Sequence, residues 1–362
     1  MRRVAGRIAV LCPAPRGMSP AQRFRYEQYL GHLADAGFEV DLHPFMPEFA
    51  MRVLYRPGNL PAKAAGLLMG FLRRLLLLLR AGRYDWFFVA REASPLGPPF
   101  VEWALKASGR RIVYDFDDAI YLPNVSSANR FISPLKCFWK VAAICRWSHR
   151  VSVCNPYLVR WASAYCRDVR LIPTTVDTSY HRSSRTARPG ARPLVLGWTG
   201  SHSSTRYLEV VREALYELRR QREFEFHVIC DVDPGFPDLS GYRFVRWRLE
   251  TEISDLDRFD IGLMPVPRED WAPGKVGFKA IQYSAMGIVP VVSSTGSGGE
   301  VVEDGVTGLV VDNEAQAWVR ALRGLIDDRD SLAAMGGRAR ERIQARYSVD
   351  SQRENYAALF RK

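Results

Sequence analysis

The sequence predicts an α/β protein of two doubly wound domains, and three observations lead there. Short apolar runs alternate with helical patterns through the first half. A stretch at 181–193, HRSSRTARPGARP, is rich in Ser, Arg, Pro and Gly with no apolar periodicity, and reads as a linker. After it the alternation restarts and continues into a helical C-terminus. A length of 362 residues exceeds one ordinary core and agrees with two.

In order, RIAVLCP (7–13) reads as a strand, and PAQRFRYEQYLGHLADAG (20–37) as a helix stopped by glycine. FEVDLHPF (38–45), YDWFFVAR (84–91), RRIVYDFDD (110–118), HRVSVCN (149–155) and RDVRLIPTTVD (167–177) read as further strands. Beyond the linker, LVLGWTG (194–200) runs into a turn and TRYLEVVREALYELRRQ (205–221) is an amphipathic helix. FEFHVICD (224–231), YRFVRW (242–247), DIGLMPV (260–266), IVPVVSS (288–294) and TGLVVD (307–312) supply more strands. Alternation of this kind implies right-handed crossovers and parallel sheets covered on both faces. The expected domains are 1–182 and 194–345, with linker 183–193 and a last helix over 346–362. Ligands of such sheets bind outside the carboxyl ends of the strands, and a cleft faced by both domains is the expected site.

An apolar share of 47% with 25% charged residues describes a globular chain, not a disordered one. The six cysteines form no C-x-x-C pair and read as reduced core thiols of a cytoplasmic protein. No H-x-x-x-H spacing suggests a zinc site. The N-terminal apolar run is too short for a signal-peptide core. The net charge of +12 fits solubility, an acidic substrate or an anionic membrane face. Without a zinc finger, a ribonucleoprotein motif or a long basic block, nucleic acid is set aside. KAAGLLMGFLRRLLLLLRAG (63–82) stands apart: Arg73, Arg74 and Arg80 interrupt its leucines, against the ~20 mostly apolar residues of a spanning helix. It reads either as a buried crossover helix or as a helix lying in the membrane interface.

GKVGFKAIQYSAMGIVPVV (274–292) carries the sharpest chemistry. Gly274 and Gly277 allow close approach to the backbone, and Lys275 and Lys279 stand near a helix start. Such an entry suits phosphate, through unpaired amides and the helix dipole. Solvated lysines on a glycine-rich loop are the plain alternative.

The run from Gly287 to Val310 is more specific. Gly287, Pro290–Val292, Glu300–Val302, Asp304, Gly305, Thr307 and Gly308–Val310 stand in order and spacing. They resemble the donor-side signature of family 4-like glycosyltransferases (glycosyl transferases group 1), which have the GT-B fold. LIPTTVDTSYH (171–181), LGWTGSHSSTRYLEVV and MGGRARERIQARYS resemble further pieces of it. The resemblance implies two Rossmann-like domains facing a cleft, an acceptor-side first domain and a nucleotide-sugar-binding second one. The C-terminal helix would cross back to the first domain. It also implies a retaining, metal-independent transfer of sugar from a nucleotide diphosphate donor to a glycan or lipid-linked hydroxyl, with no cofactor beyond that co-substrate. The basic surface is compatible with peripheral attachment at the inner face of the membrane.

One departure matters. The family's two glutamates, with seven residues between them, are here Gly274 and Gln282. Altered donor chemistry and a non-catalytic binding protein both fit that loss, and a nucleotide-sugar epimerase shares the architecture. Expected donor contacts are the turn Gly200, Ser201 and His202, with Arg206, Lys275, Lys279, Gln282 (to the ribose), Gly298 and Glu300. In the first domain Asp115, Asp117 and Asp118 crowd a strand end, where like charges raise one another's pKa. Asp117 and Asp118, with Lys279, are the expected catalytic residues. Helix capping is the alternative for the aspartates. Asp115, Arg23, Arg25, Arg91 and Glu92 are expected to grip the acceptor. The D-x-D at 115–117 could bind metal, but it lies in the half without the donor signature, so no metal site is assigned.

Overall fold

The computed structural model describes residues 5–54, 56, 58–123, 135–185 and 192–361. The chain forms two compact units, Met1–Thr174 with Gln352–Lys362, and Thr175–Ser351.

The first unit holds six parallel strands: β1 (Gly6–Cys12), β2 (Phe38–Pro44), β3 (Trp86–Ala90), β4 (Arg111–Phe116), β5 (Arg150–Val153) and β6 (Val169–Leu171). Their order is β2-β1-β3-β4-β5-β6. Ile8 of β1 lies between Val40 and Trp86 in register. Every residue of β3 is buried, as a strand covered on both faces requires. β6 stops well short of the expected 167–177, since Pro173 has no N–H to continue the ladder.

The expected helix over 20–37 is broken. It comprises Pro20–Arg25, a 3₁₀ turn at Glu27–Tyr29, and Leu30–Asp35. Arg25 and Glu27 are both buried, and two positions apart they would face nearly opposite sides of one regular helix. The chain departs from helical geometry at Tyr26, φ −129°, and both side chains find partners inside.

The second unit repeats the plan with β7 (Leu194–Thr199), β8 (Phe224–Cys230), β9 (Tyr242–Arg246), β10 (Ile261–Met264), β11 (Val289–Ser293) and β12 (Leu309–Val311). All are parallel, in the order β12-β11-β10-β7-β8-β9. The connection reverses between β7 and β10, the switch point of a dinucleotide-type sheet. The unit starts at Thr175, before the expected linker at 183–193, because this segment bonds into it. Ser184 donates to Asp257 at 2.7 Å, Arg185 donates to the Asp257 carbonyl at 2.8 Å, and His181 is buried. Residues 186–191 of that linker lie outside the described residues. The last helix is Val349–Ala358, and from Gln352 on the chain belongs to the first unit. Tyr356 stacks on Tyr29 at 4.2 Å, and Arg150 donates to the Ala358 and Leu359 carbonyls at 2.9 Å. All six cysteines are unbridged.

The leucine–arginine segment is a 20-residue helix, Leu60–Leu79, between β2 and β3. It is not a buried crossover. Only Gly66, Gly70, Arg74 and Leu77, one stripe at helical spacing, are buried. A Cβ on Gly66 would meet Ala50 at 2.4 Å, and one on Gly70 would meet the Phe45 ring at 2.5 Å. Arg74 donates to the carbonyls of Ala93, His43 and Cys12 at 2.7, 2.7 and 3.1 Å, so its buried guanidinium is satisfied. Gly70→Ala is therefore expected to destabilise the protein by about 1–3 kcal/mol through overpacking. Gly31→Ala, also helical but with open space around it, should be neutral or stabilising. Thermal unfolding of the two variants checks the contrast.

Candidate active site

The strand ends at the β7/β10 switch point gather most of the second unit's expected site residues. β7 ends at Thr199, and Gly200 follows with no room for a side chain: a Cβ would lie 2.3 Å from the Trp198 ring. Ser201 and Ser204 form a capping box that starts the 3₁₀ turn His202–Leu208. The His202 amide and Nδ1 bind the Asp231 carboxylate, at 2.6 and 2.7 Å, just beyond β8. Burial pushes Asp231 up, but hydrogen bonds from His202 and the Cys230 thiol outweigh it and hold its pKa below the ordinary value.

Helix Phe278–Ala285 packs over the same switch. Tyr283 fixes it. Its hydroxyl accepts from the Thr199 amide at 3.0 Å and donates to the Leu263 carbonyl at 3.3 Å. Its ring occupies the space above Gly262, where a Cβ would lie 2.3 Å away. Lys279 is one turn earlier on the same face. Its ammonium stands 5.4 Å from the Trp198 ring centroid. Among the described residues it has no hydrogen-bond acceptor and no carboxylate partner. Burial, and then the neighbouring Lys275, push this amine down to about 8. A desolvated cation with no counter-charge is an anion site in electrostatic terms.

The surrounding charges differ. Lys275 lies over Trp271 and Tyr207, 4.4 and 5.0 Å from their ring centroids. Arg206 pairs with Glu269 at 3.1 Å and covers the same two rings, so its charge is already balanced. At the helix start, a Cβ on Gly277 would sit 3.2 Å from the Ser297 carbonyl, so the 297–301 loop runs close to it. The Ser297 hydroxyl is buried with no partner among the described residues. Gly298 is required by packing: a Cβ there would lie 2.9 Å from Val292. Glu300 is exposed in the first turn of Gly298–Val301. Gln282, expected at a ribose, is buried against His181, with 3.5 Å between Nε2 atoms. Asp231, Trp198, Trp271, Glu269 and Ser297 escaped the sequence reading. Asp231 alone carried a signal, as a carboxylate at a strand end.

In the first unit, the expected acceptor residues largely pair with one another. Arg25 and Asp115 form a buried ion pair, each side chain 3% exposed. Arg25 also donates to Ser152 at 3.0 Å and to the Ile172 carbonyl. Both are structural and neither is presented to a ligand, a correction to their expected role. Arg91 holds Asp117 at 2.6 Å from a left-handed backbone, φ 62°. Glu92 binds the buried Lys140 at 2.7 Å. Arg23 lies 4.8 Å over the Phe24 ring. Asp118 accepts from the Ala119 amide at 2.9 Å and, like Asp117, is partly exposed. Among the described residues no three His, Cys, Asp or Glu side chains converge in a metal-binding arrangement.

Two outcomes are expected. Arg25→Ala, which leaves a buried carboxylate uncompensated, should cost about 3–5 kcal/mol of stability, read by denaturant unfolding. For Lys279, the folded pKa lies below the ordinary 10.5. Without ligand, the cost of its charge is therefore present at neutral pH and relieved as pH rises from about 8 toward 10.5, a window in which stability rises. An anion requires the charged form. Calorimetry with inorganic pyrophosphate should show affinity falling above about pH 8, and Lys279→Arg should remove that step.

Residues 193–328 match the family model described as glycosyl transferases group 1. No curated protein matches the sequence. Among solved structures, sucrose-phosphate synthase from Thermosynechococcus elongatus is similar with a TM-score of 0.72, at 18% identity over 98% of both chains. HepE of Anabaena, in complex with UDP and glucose, gives 0.66 at 15% identity, again over 98% of both. A glycosyltransferase from Rickettsia africae gives 0.67 at 13% identity over 98% of this chain and 97% of its own. Through residues 193–328 the chain carries a group 1 glycosyl transferase domain, and it is a glycosyltransferase of the GT-B fold.

Proposed function

We propose that the second unit binds a nucleoside diphosphate sugar and that the chain transfers the sugar to an acceptor hydroxyl without a metal ion, with retention at the anomeric carbon. The observation that carries this reading is Lys279. Its partly desolvated ammonium has no acceptor among the described residues, and it stands at the switch point where such sheets take ligands. The UDP and UDP-glucose complexes of HepE, a protein of the same fold, support the donor class.

As the bond from the anomeric carbon to the diphosphate breaks, negative charge grows on the leaving phosphate oxygen. Lys279, already charged and held by its helix, stabilises that charge without reorganising. Diphosphate binding also offsets the burial that lowers its pKa, so it stays protonated through transfer. Lys275 adds a second cation, and the unpartnered Ser297 hydroxyl is a donor for a phosphate oxygen, whereas the Gly200 and Ser201 amides already donate to the Ile229 carbonyl and the Ser204 hydroxyl. In the first unit, Asp117 and Asp118 are the carboxylates left to orient an acceptor hydroxyl of a glycan or a lipid-linked precursor.

A second reading, a nucleotide- or glycan-binding protein without turnover, draws support from Gly274 and Gln282, which stand where the family carries glutamates. A thermal-shift screen with UDP, GDP, ADP and TDP and their sugars, followed by turnover with the stabilising donor, separates the two. Under the transfer reading, Lys279→Ala loses about 10²–10³ in turnover while the fold persists. Asp117→Asn weakens transfer more than donor binding, and a chelator has no effect. Donor binding with no transfer to any acceptor favours the second reading, and conversion of donor without acceptor indicates an epimerase.

A further inference from the structure

The first unit carries an apolar face that its other described residues leave uncovered. On helix Leu60–Leu79, Leu68, Phe71, Leu72, Leu75, Leu76 and Leu79 are exposed, Leu68 at 73% and Leu79 at 78%. Their spacing of three and four makes one stripe, opposite the buried glycines. Helix Phe100–Ala107 packs beside it. It adds Phe100 and Trp103, also more than half exposed, with ring centroids 6.0 Å apart. Scattered exposed leucines need no explanation, but a contiguous patch of this kind marks an interaction surface.

One flank of this face is basic. A cavity of about 430 Å³ opens between the helix and the end of β2, and its lining includes Leu76, Arg73, Arg80 and Arg83. These three arginines are exposed, and among the described residues none has a hydrogen-bonded or ion-paired side-chain partner. The fourth guanidinium in the lining, Arg74, is held by three carbonyls. The nearby Asp41 accepts from Tyr84 at 2.9 Å. The helix contains no acidic residue. No helix among the described residues is long and apolar enough to cross a membrane.

We infer that this face seats the first unit on an anionic lipid bilayer. The leucine stripe and Trp103 enter the boundary of the acyl chains, and the cavity ringed by Arg73, Arg80 and Arg83 takes a lipid phosphate. A helix of 20 residues, about 30 Å long, with leucine on one face and arginine on its flank lies in the interface rather than across it. The absence of acidic residues makes the charge of the face complementary to phosphate headgroups and not to a basic partner. This goes beyond the transfer reaction and does not depend on the donor assignment.

Flotation of the full chain with phosphatidylglycerol–phosphatidylcholine vesicles tests it. Binding is expected, much weaker on pure phosphatidylcholine, and reduced by added salt in the unaltered protein. Replacing Arg73, Arg80 and Arg83 by Gln should weaken it about a hundredfold. Leu72→Ser with Leu75→Ser should weaken it at least about tenfold. Those side chains are exposed, so melting temperature and nucleotide binding should be unchanged. Absence of vesicle binding, or equal binding to neutral and anionic vesicles, overturns the inference. So does stabilisation by inorganic phosphate without vesicle binding, which would assign the cavity to a free anion. A dimer dispersed by the leucine substitutions, again without vesicle binding, would assign the face to a second copy of the chain.

Discussion

The second unit's site depends on one close approach, that of Tyr283 to the sheet. Because Gly262 has no side chain, the tyrosine ring lies directly over β10, and its hydroxyl takes the last amide of β7. That contact ties helix Phe278–Ala285 to both strands of the switch point. Lys279, one turn earlier, is thereby carried over Trp198 and partly out of bulk water. The same economy of space recurs at Gly200, where a Cβ would meet the Trp198 ring, and less tightly at Gly277, beside the 297–301 loop. Glycine in this sheet makes room for neighbours more than it supplies flexibility.

The two units treat charge in opposite ways. In the first, charges at the strand ends are paired: Arg25 with Asp115, Arg91 with Asp117, Lys140 with Glu92. A buried ion pair is tolerable only with good geometry and its remaining hydrogen-bonding atoms satisfied, which Ser152 and the Ile172 carbonyl provide. In the second, Arg206 is balanced by Glu269, while Lys279 has no counter-charge among the described residues. That difference separates residues that hold the fold from one able to hold a diphosphate.

Helix Leu60–Leu79 shows how a strongly apolar segment belongs to a globular unit without being buried in it. Two glycines seat it on Phe45 and Ala50, and Arg74 bonds three backbone carbonyls that would otherwise lie beneath it. Its inner face is small and polar; its outer face holds the leucines. This arrangement reverses the usual amphipathic pattern and suits a helix with a second, apolar environment on its far side.

The sequence alone determined the class of fold, the twelve strands and the donor-side signature. Those depend on local periodicity and on short runs of residues whose spacing survives in one dimension. It also marked Lys279, because glycines and lysines before a helix suit an anion whatever surrounds them. Only the tertiary structure decided which charges were available. Arg25 and Asp115 are 90 positions apart, and no local pattern tells that they meet. Gln282 meets a linker histidine 101 positions away, and the outward leucines of 60–79 could not be told from inward ones by hydrophobicity alone. Pairing and burial are long-range properties of a folded chain, and they determine whether a charged side chain holds the structure or waits for a ligand.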